Sequence, residues 1–273
     1  MPAFAIALAV LALTAHHEDG MTMAGRIEAA MYGDHRAEAH VVRNQHRHPV
    51  GTLTFLGLHE DMDVLELWPG GGWYMEILAP VLKDGGGSYT AAAYDPDIPD
   101  QPQYRYRQWD AMHEKWQARP DIYANAKVIK YTAPNTENMG VEATYDMVLT
   151  FRNMHGLVNG GNAEKVMGDA FGVLTPGGVM GVIQHRAEPG TDPMETSPKG
   201  YVSEEAIIAI AEKVGFKLAG RSEVNANPMD TKDYDDGVWT LPPSLRKGDE
   251  DREKYVAIGE SDRMTLKFYK PEI

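Results

Sequence analysis

The sequence contains no cysteine, and this absence excludes disulfide bonds, thiolate metal sites and a cysteine nucleophile. Basic residues are also in the minority, because 26 Lys and Arg face 40 Asp and Glu and the formal net charge is −14. A strongly acidic chain without a local basic run repels phosphate backbones. We therefore expect no nucleic-acid partner and a small molecule as the ligand, while the composition leaves the oligomeric state open.

Common metal and nucleotide motifs are missing as well. The chain has no His-Glu-x-x-His pair, and His46 and His48 lie two positions apart, a spacing that does not share a helix face. We therefore expect no metal site. A phosphate-loop Gly-Lys-Ser/Thr sequence is absent, and so is Gly-x-Gly-x-x-Gly after a strand. These absences exclude a phosphate-loop nucleotidase and rank a nicotinamide oxidoreductase last.

A long apolar run occurs at Met1–Ala15 and gives way to a polar segment at 16–19. The run is shorter than the roughly 20 residues that a membrane-spanning helix needs, so we expect no stable membrane insertion. It resembles the apolar core of a secretory signal with a cleavage site at Leu13-Thr14-Ala15, which predicts a signal peptide at residues 1–20 and a periplasmic or exported protein. No Lys or Arg precedes Arg26, so a cytoplasmic protein is the alternative.

The remaining residues, 21–273, alternate short apolar runs with helical patterns. Such alternation indicates an α/β fold with a mainly parallel, doubly wound sheet, here as a single domain with an N-terminal helix. Insertions are predicted at 96–125 and 225–262, and the second should join the last two strands as an antiparallel pair. The predicted strands are 64–67, 88–94, 126–131, 145–151, 179–184, 216–224 and 263–269, and the predicted helices are 21–48, 74–82, 101–118, 163–174 and 203–215.

The turn between the first strand and the next helix is the most informative segment. It lies within Val64–Tyr74 and contains three consecutive glycines at 70–72. Glycine lets a backbone approach a ligand closely, and the following helix offers free N–H groups. In an open parallel sheet, ligands bind at this place. The turn therefore predicts a nucleotide-type ligand.

Glu66, Gly70 and Gly72 match the acidic residue and the glycine pattern of class I S-adenosylmethionine-dependent methyltransferases, and Trp68 stands where the first glycine is usual. The chain resembles this Rossmann-like superfamily over roughly residues 40–270. The resemblance implies a seven-stranded sheet of order 3-2-1-4-5-7-6 with an antiparallel last strand, and S-adenosyl-L-methionine as the cofactor. The residues that it implies for cofactor binding are Glu66, Trp68, Pro69, Gly70, Gly71, Gly72, Asp95, Phe151, Arg152 and Asn153.

Three segments together carry a narrower resemblance. The sequences at 68–74, 151–155 and 184–187 resemble a group of bacterial predicted methyltransferases that often carry leader peptides. Asp95 follows the second strand, where the resemblance implies a carboxylate on the ribose hydroxyls. The alternative for Asp95 is a turn residue in Asp-Pro-Asp.

Polar clusters follow the fourth and fifth strands, at the sheet edge where the methyl group should lie. They contain Arg152 and His155 in the first cluster, and His185 and Arg186 in the second. Histidine titrates in the useful range, and arginine can bind a carboxylate or a phosphate through two parallel hydrogen bonds. We predict these four residues as catalytic. The alternative is that His155 caps a loop and that both arginines pair with surface acids.

Two other features leave alternatives open. An aromatic set at 104–123 is predicted to pack a helix onto the domain rather than to bind a ligand. The segment 225–250, with Trp239 and Pro242-Pro243, is either a lid or a structural wrap. The predicted function is methyl transfer from S-adenosylmethionine to a small-molecule acceptor. The alternative is an exported small-ligand-binding protein on the same fold.

Overall fold

The computed structural model describes residues 21–272, and the predicted signal peptide at residues 1–20 lies outside the described residues. Seven strands form one sheet: β1 (Asp63–Leu67), β2 (Ser88–Ala93), β3 (Ala126–Lys130), β4 (Tyr145–Phe151), β5 (Leu174–His185), β6 (Lys217–Ser222) and β7 (Arg263–Tyr269). The helices are α1 (Met23–Met31), α2 (Glu38–Val41), α3 (Asn44–Arg47), α4 (Pro49–Leu56), α5 (Met75–Gly85), α6 (Gln103–Ala118), α7 (Pro120–Tyr123), α8 (Met154–Asn159), α9 (Ala163–Val173), α10 (Pro193–Thr196), α11 (Glu204–Lys213) and α12 (Arg252–Ile258).

The sheet has the order β3-β2-β1-β4-β5-β7-β6, which confirms the predicted topology. Strands β1 to β5 pair in parallel, and β7 runs antiparallel between β5 and β6. The chain order reverses between β1 and β4, where the carboxyl ends of the parallel strands leave a crevice. The topology thus places the glycine turn and the segments after β4 and β5 at one edge.

Successive residues of the central strands serve two separate cores. Leu65 and Val148 face the core formed with α8, α9 and α11, while Val64 and Met147 face the core formed with α1, α4 and α5. Side chains alternate across a strand, and a sheet covered by helices on both faces therefore favours apolar residues on both faces of its central strands. The helices packed on both faces of the sheet hold its carboxyl edge in place.

The prediction of one helix over 21–48 is wrong, because the structure divides this region into α1, α2 and α3. The chain leaves α1 after Met31 and folds around the buried guanidinium of Arg36. Its Nη1 donates to the carbonyl of Met31 at 2.8 Å and to the side-chain oxygen of Asn44 at 3.0 Å. These hydrogen bonds to the buried Arg36 side chain hold the chain in a turn at this point. The turn brings α2 and α3 to the carboxyl edge.

Sequence periodicity also missed structure in the long segment before β7. It contains a short 3-10 helix, Gly237–Thr240, and α12, whose acidic and basic residues hide its periodicity. Strand β5 begins earlier than predicted, at Leu174, with an irregularity before Val179. No helix among residues 21–272 combines the length and the apolar character needed to cross a bilayer.

Candidate active site

A polar cavity of about 630 Å³ lies at the carboxyl ends of β1, β4 and β5. Its size is that of a small-molecule site. Further walls come from α2, from α3 and from the segment 238–246. Of the predicted site residues, those that line the cavity are Glu66, Trp68, Pro69, Gly70, Gly71, Phe151, Arg152, Asn153, His155 and His185.

The glycine turn exposes its backbone to the cavity. Gly70 has a φ of 61°, a conformation that glycine adopts without strain. A Cβ added to Gly71 would meet no atom within 4 Å, and one added to Gly70 would meet only the Gln108 side chain at 3.6 Å. The space above these two residues is therefore open to a closely approaching ligand.

Trp68 also adopts a left-handed conformation, with a φ of 44°. Its ring stacks on Tyr94 and on Tyr131, with centroid distances of 5.2 Å and 5.7 Å, and its indole N–H donates to the Tyr131 carbonyl at 2.9 Å. Tyr94 and Tyr131 directly follow β2 and β3. The Trp68 ring therefore extends from the glycine turn across the ends of these two strands.

Glu66 is a buried acid in β1, with 2% of its surface exposed. The Tyr89 hydroxyl donates to its Oε2 at 2.7 Å. Burial raises the pKa of Glu66 to about 7 against the opposing influence of Tyr89, Arg152 and Arg47. The carboxyl group can therefore hold or release a proton near neutral pH.

Asn153 and Phe151 support the edge as well as lining it. The Asn153 amide donates to the Leu67 carbonyl at 2.9 Å and thereby ties the end of β4 to β1. Phe151 stacks on Tyr74, with ring centroids 3.6 Å apart and planes 10° apart. The strand-end loops are thus held in register by polar and aromatic contacts.

The histidines predicted at the ends of β4 and β5 come together, with ring centroids 5.9 Å apart. Burial lowers the pKa of His155 to about 4 and that of His185 well below its usual range. The Ser261 hydroxyl lies 2.5 Å from Nδ1 of His185. Both imidazoles are therefore neutral at pH 7, and burial makes each a weaker base than an exposed histidine.

Three predicted residues do not line the cavity. Asp95 forms an ion pair with Lys130 at 3.3 Å and accepts the backbone N–H of Asp97 at 3.0 Å, as a turn residue does. A Cβ added to Gly72 would collide with Met75 at 2.7 Å, so this glycine serves the packing of the turn. Asp95 and Gly72 thus lie outside the lining of the cavity.

Arg186 is the third of these residues. Its guanidinium binds Asp262 through two nitrogens, at 2.9 Å and 3.0 Å, and also binds Glu204 at 3.1 Å and Glu223 at 2.8 Å. These carboxylates raise its pKa, and they occupy its donors. The structure therefore corresponds to the alternative that we stated for Arg186, an arginine paired with acids, and it lends no support to a catalytic role.

A cluster of charges at the cavity wall was missed by sequence reasoning. Arg43 and Arg47, from the segment around α3, bind Glu260 through Nε at 2.6 Å and 3.2 Å. Arg263 binds the same carboxylate at 3.1 Å. The available signal was the spacing of Arg43 and Arg47, which are four residues apart on a helical pattern beside the predicted ligand edge.

The segment 225–262 also contributes to the site. Trp239, Pro242 and Pro243 line the cavity, and the His155 ring lies 5.8 Å from the Trp239 ring. The guanidinium of Arg246 lies 4.8 Å from the centre of the Trp239 ring. Between the two interpretations of the segment, this placement favours a cover over the cavity.

Among residues 21–272, no group of three His, Asp or Glu side chains is arranged to hold a metal ion. The cavity wall presents two imidazoles, the buried carboxyl group of Glu66 and arginine donors.

Neither a protein-family model nor a curated protein matches the sequence. Solved structures do match it. A SAM-dependent methyltransferase from Aquifex aeolicus is 17% identical, with a TM-score of 0.55 over 83% of this chain and 92% of that one. An arsenic(III) S-adenosylmethionine methyltransferase from Chlamydomonas reinhardtii is 16% identical, with a TM-score of 0.52 over 91% and 74% of the two chains. The [4+2]-cyclase SpnF is 15% identical, with a TM-score of 0.55 over 88% and 85%.

The chain thus has the class I methyltransferase fold, with its seven-stranded mixed sheet. Identities this low establish the fold and do not carry an activity, as the cyclase among the matches illustrates.

Proposed function

We propose that the protein transfers a methyl group from S-adenosylmethionine to a small-molecule acceptor. The observation that carries this proposal is the open backbone of Gly70 and Gly71 in the same cavity as the neutral side chains of His155 and His185. The glycine turn is where a nucleotide-type ligand approaches a parallel sheet. The histidines lie at the neighbouring strand ends, where an acceptor would contact the cofactor.

The cavity offers suitable groups for such a cofactor. The backbones of Gly70 and Gly71 leave space that a Cβ would fill, and Glu66 and Asn153 supply polar groups beside them. Asp95 is engaged by Lys130 outside the lining, so the proposal gives it no contact with the ribose. The cofactor would therefore be held by the turn and by the ends of β1 and β4.

When bound, S-adenosylmethionine supplies a methyl group on a positively charged sulfur. Such a displacement needs alignment above all, so a cavity that held the cofactor and the acceptor together would supply much of the rate acceleration. An acceptor that carries a hydroxyl or amine also has to lose a proton. His155 and His185, which are neutral and face the cavity, can accept it.

Calorimetric titration of the full chain with S-adenosylmethionine tests the proposal. We expect a Kd between about 1 µM and 1 mM, the usual range for enzyme substrates. Gly71→Val should weaken binding by about tenfold or more, because its side chain enters the open space. Gly168→Val is the matched control, since a Cβ there also meets no atom within 4 Å but lies in α9. No binding at millimolar cofactor would overturn the proposal.

A second candidate is a small-ligand-binding protein that does not transfer methyl groups. The Trp68 ring favours it, because it covers the strand ends next to the glycine turn. This candidate also suits export, which the sequence at 1–20 predicts, since an exported protein would work where S-adenosylmethionine is not expected. Binding of S-adenosylmethionine without any methylated product in a cell extract would favour this second candidate.

A further inference from the structure

Arginine side chains crowd one wall of the cavity. Arg43, Arg47 and Arg152 line it, and Arg263 lies directly behind them. They surround a single carboxylate, Glu260, which binds three of these side chains. The wall therefore carries a clear excess of positive charge at neutral pH.

Among residues 21–272, Arg47 uses only part of its hydrogen-bonding capacity. The residue is 1% exposed, its Nε donates to Glu260, and its guanidinium lies 4.7 Å from the centre of the Trp73 ring. Neither Nη1 nor Nη2 of Arg47, nor Nη2 of Arg43, has a hydrogen-bond partner among residues 21–272. Buried charged donors without a partner are costly, and those of Arg43 and Arg47 stand at the cavity wall, where a bound anion would satisfy them.

Arg152 offers a second guanidinium at this wall. Its side chain lines the cavity directly after β4 and has neither a hydrogen bond nor an ion pair with any residue in the part of the chain that the structure describes. Burial, together with the neighbouring arginines, lowers its pKa to about 10. Both effects would be relieved by an anion in the cavity.

Other charges around the cluster do not neutralise it. Glu66 has a pKa of about 7 and is only partly ionised at neutral pH. His155 and His185 are neutral. The guanidinium groups thus outnumber the ionised carboxylates at this wall.

The proposed cofactor does not supply the missing negative charge. S-adenosylmethionine carries a sulfonium and an ammonium against one carboxylate, so its net charge is positive. Placing it beside unneutralised arginines adds repulsion rather than removing it. A compensating anion would therefore come with the other reactant.

We infer that the acceptor is a small oxyanion, a carboxylate or a phosphate, held by the free donors of Arg47 and Arg152. A planar guanidinium binds both kinds of oxyanion through two parallel hydrogen bonds, which fixes orientation as well as position. The histidines at the ends of β4 and β5 then face the part of the acceptor that reacts. The role of this anion as methyl acceptor rests on the proposed function, whereas the oxyanion site stands without it.

Calorimetric titration of the full chain with inorganic phosphate and, separately, with acetate at pH 7 tests the site. We expect at least one of them to bind with a Kd of about 1 mM or tighter. The tighter of the two identifies the kind of oxyanion. Binding of neither probe to the folded protein would overturn the inference.

Arg152→Gln should weaken that binding by about tenfold or more. Arg152→Lys should weaken it less, because lysine keeps the positive charge but cannot form two parallel hydrogen bonds. The matched control is Arg221→Gln, which removes an exposed arginine outside the cavity and should leave the affinity unchanged. Thermal unfolding of each variant checks that it is folded. Equal binding by Arg152→Gln and wild type would also overturn the inference.

A third titration, with S-adenosylmethionine in the presence of saturating phosphate, separates the two proposals. Simultaneous binding supports an acceptor site. Competition would place the cofactor's own carboxylate on the arginines and overturn the assignment to the acceptor. Phosphate binding without any cofactor binding would leave the oxyanion site intact and refute the methyltransferase proposal alone.

Discussion

The indole ring of Trp68 lies nearly parallel to the phenol ring of Tyr94, with ring centroids 5.2 Å apart and planes 10° apart. Trp68, which stands where the methyltransferase pattern usually has glycine, has a left-handed backbone conformation, with a φ of 44°. A bulky residue in that conformation is strained. The stacking contacts and the hydrogen bond to Tyr131 offset the strain.

Trp68→Gly should therefore lower the stability of the fold and raise the affinity for the cofactor. We expect the free energy of unfolding to fall by about 2–4 kcal/mol, because a buried aromatic ring is lost. The affinity for S-adenosylmethionine should rise by about fivefold or more, because the ends of β2 and β3 become accessible beside the glycine turn. Urea unfolding and calorimetry measure the two effects.

Trp68→Phe is the control for this change, since it keeps an aromatic ring at the same place and should alter the affinity less. A glycine variant that remains folded and binds the cofactor no better than wild type would show that the ring does not obstruct it.

Glu66 should make stability fall with rising pH. Burial raises its pKa from 4.5 to about 7, so the folded state binds a proton that the unfolded state has released between these values, and folding weakens across that window. Glu66→Gln should be more stable than wild type at pH 8 by about 1–3 kcal/mol and nearly equal to it at pH 4.5. Urea unfolding at both pH values measures this.

The exposed Glu142→Gln is the matched control for Glu66→Gln and should give the same difference from wild type at both pH values. A pH-independent effect of Glu66→Gln would show that the buried carboxyl group is not protonated in the folded state.

Glu260 should act in the opposite direction. Its three arginine partners hold its pKa well below the usual range despite burial, so it stabilises the fold above the pKa of the unfolded state, and this stability is lost at acid pH. Glu260→Gln leaves those arginines in mutual repulsion and should destabilise the protein by about 3–5 kcal/mol at pH 7. Thermal or urea unfolding measures the loss.

Phosphate should stabilise Glu260→Gln more than wild type, because an anion replaces part of the missing charge. Glu164→Gln, which breaks an exposed pair with Lys213, is the control and should cost at most about 1 kcal/mol. A loss in Glu260→Gln no larger than in this control would contradict the account of the cluster.

The fold was predictable because its signal is local. Apolar runs such as β4 and β7 keep their predicted bounds, and parallel strands bring their carboxyl ends to one edge. The meeting of His155 and His185 follows from that rule alone. Turns decided by a buried charge, as at Arg36, leave no periodic trace, and the single helix predicted over 21–48 was wrong for that reason.

The arginine wall was not predictable in the same way. Arg47 and Glu260 are 213 positions apart, and their contact depends on how α3 and the segment before β7 pack over the edge. Arg186 shows the converse: it follows β5 as predicted, yet acids from three other segments, among them Asp262 and Glu223, take up its donors. Whether a strand-end arginine is free depends on partners that local patterns do not reveal.

An anion on Arg152 should change the titration of His155. Burial and the charge of Arg152 together lower the pKa of His155 to about 4, so neutralising that charge should raise the pKa. Imidazole chemical shifts of the full chain, followed by NMR from pH 3 to 8 with and without phosphate, measure the change. The exposed His59 serves as the internal control.

Arg152→Gln should raise the pKa of His155 in the absence of phosphate, and added phosphate should then leave that pKa unchanged. If bound phosphate left the pKa of His155 unchanged in wild type, the anion would lie away from Arg152. A rise would mean that a bound acceptor strengthens the base that takes its proton.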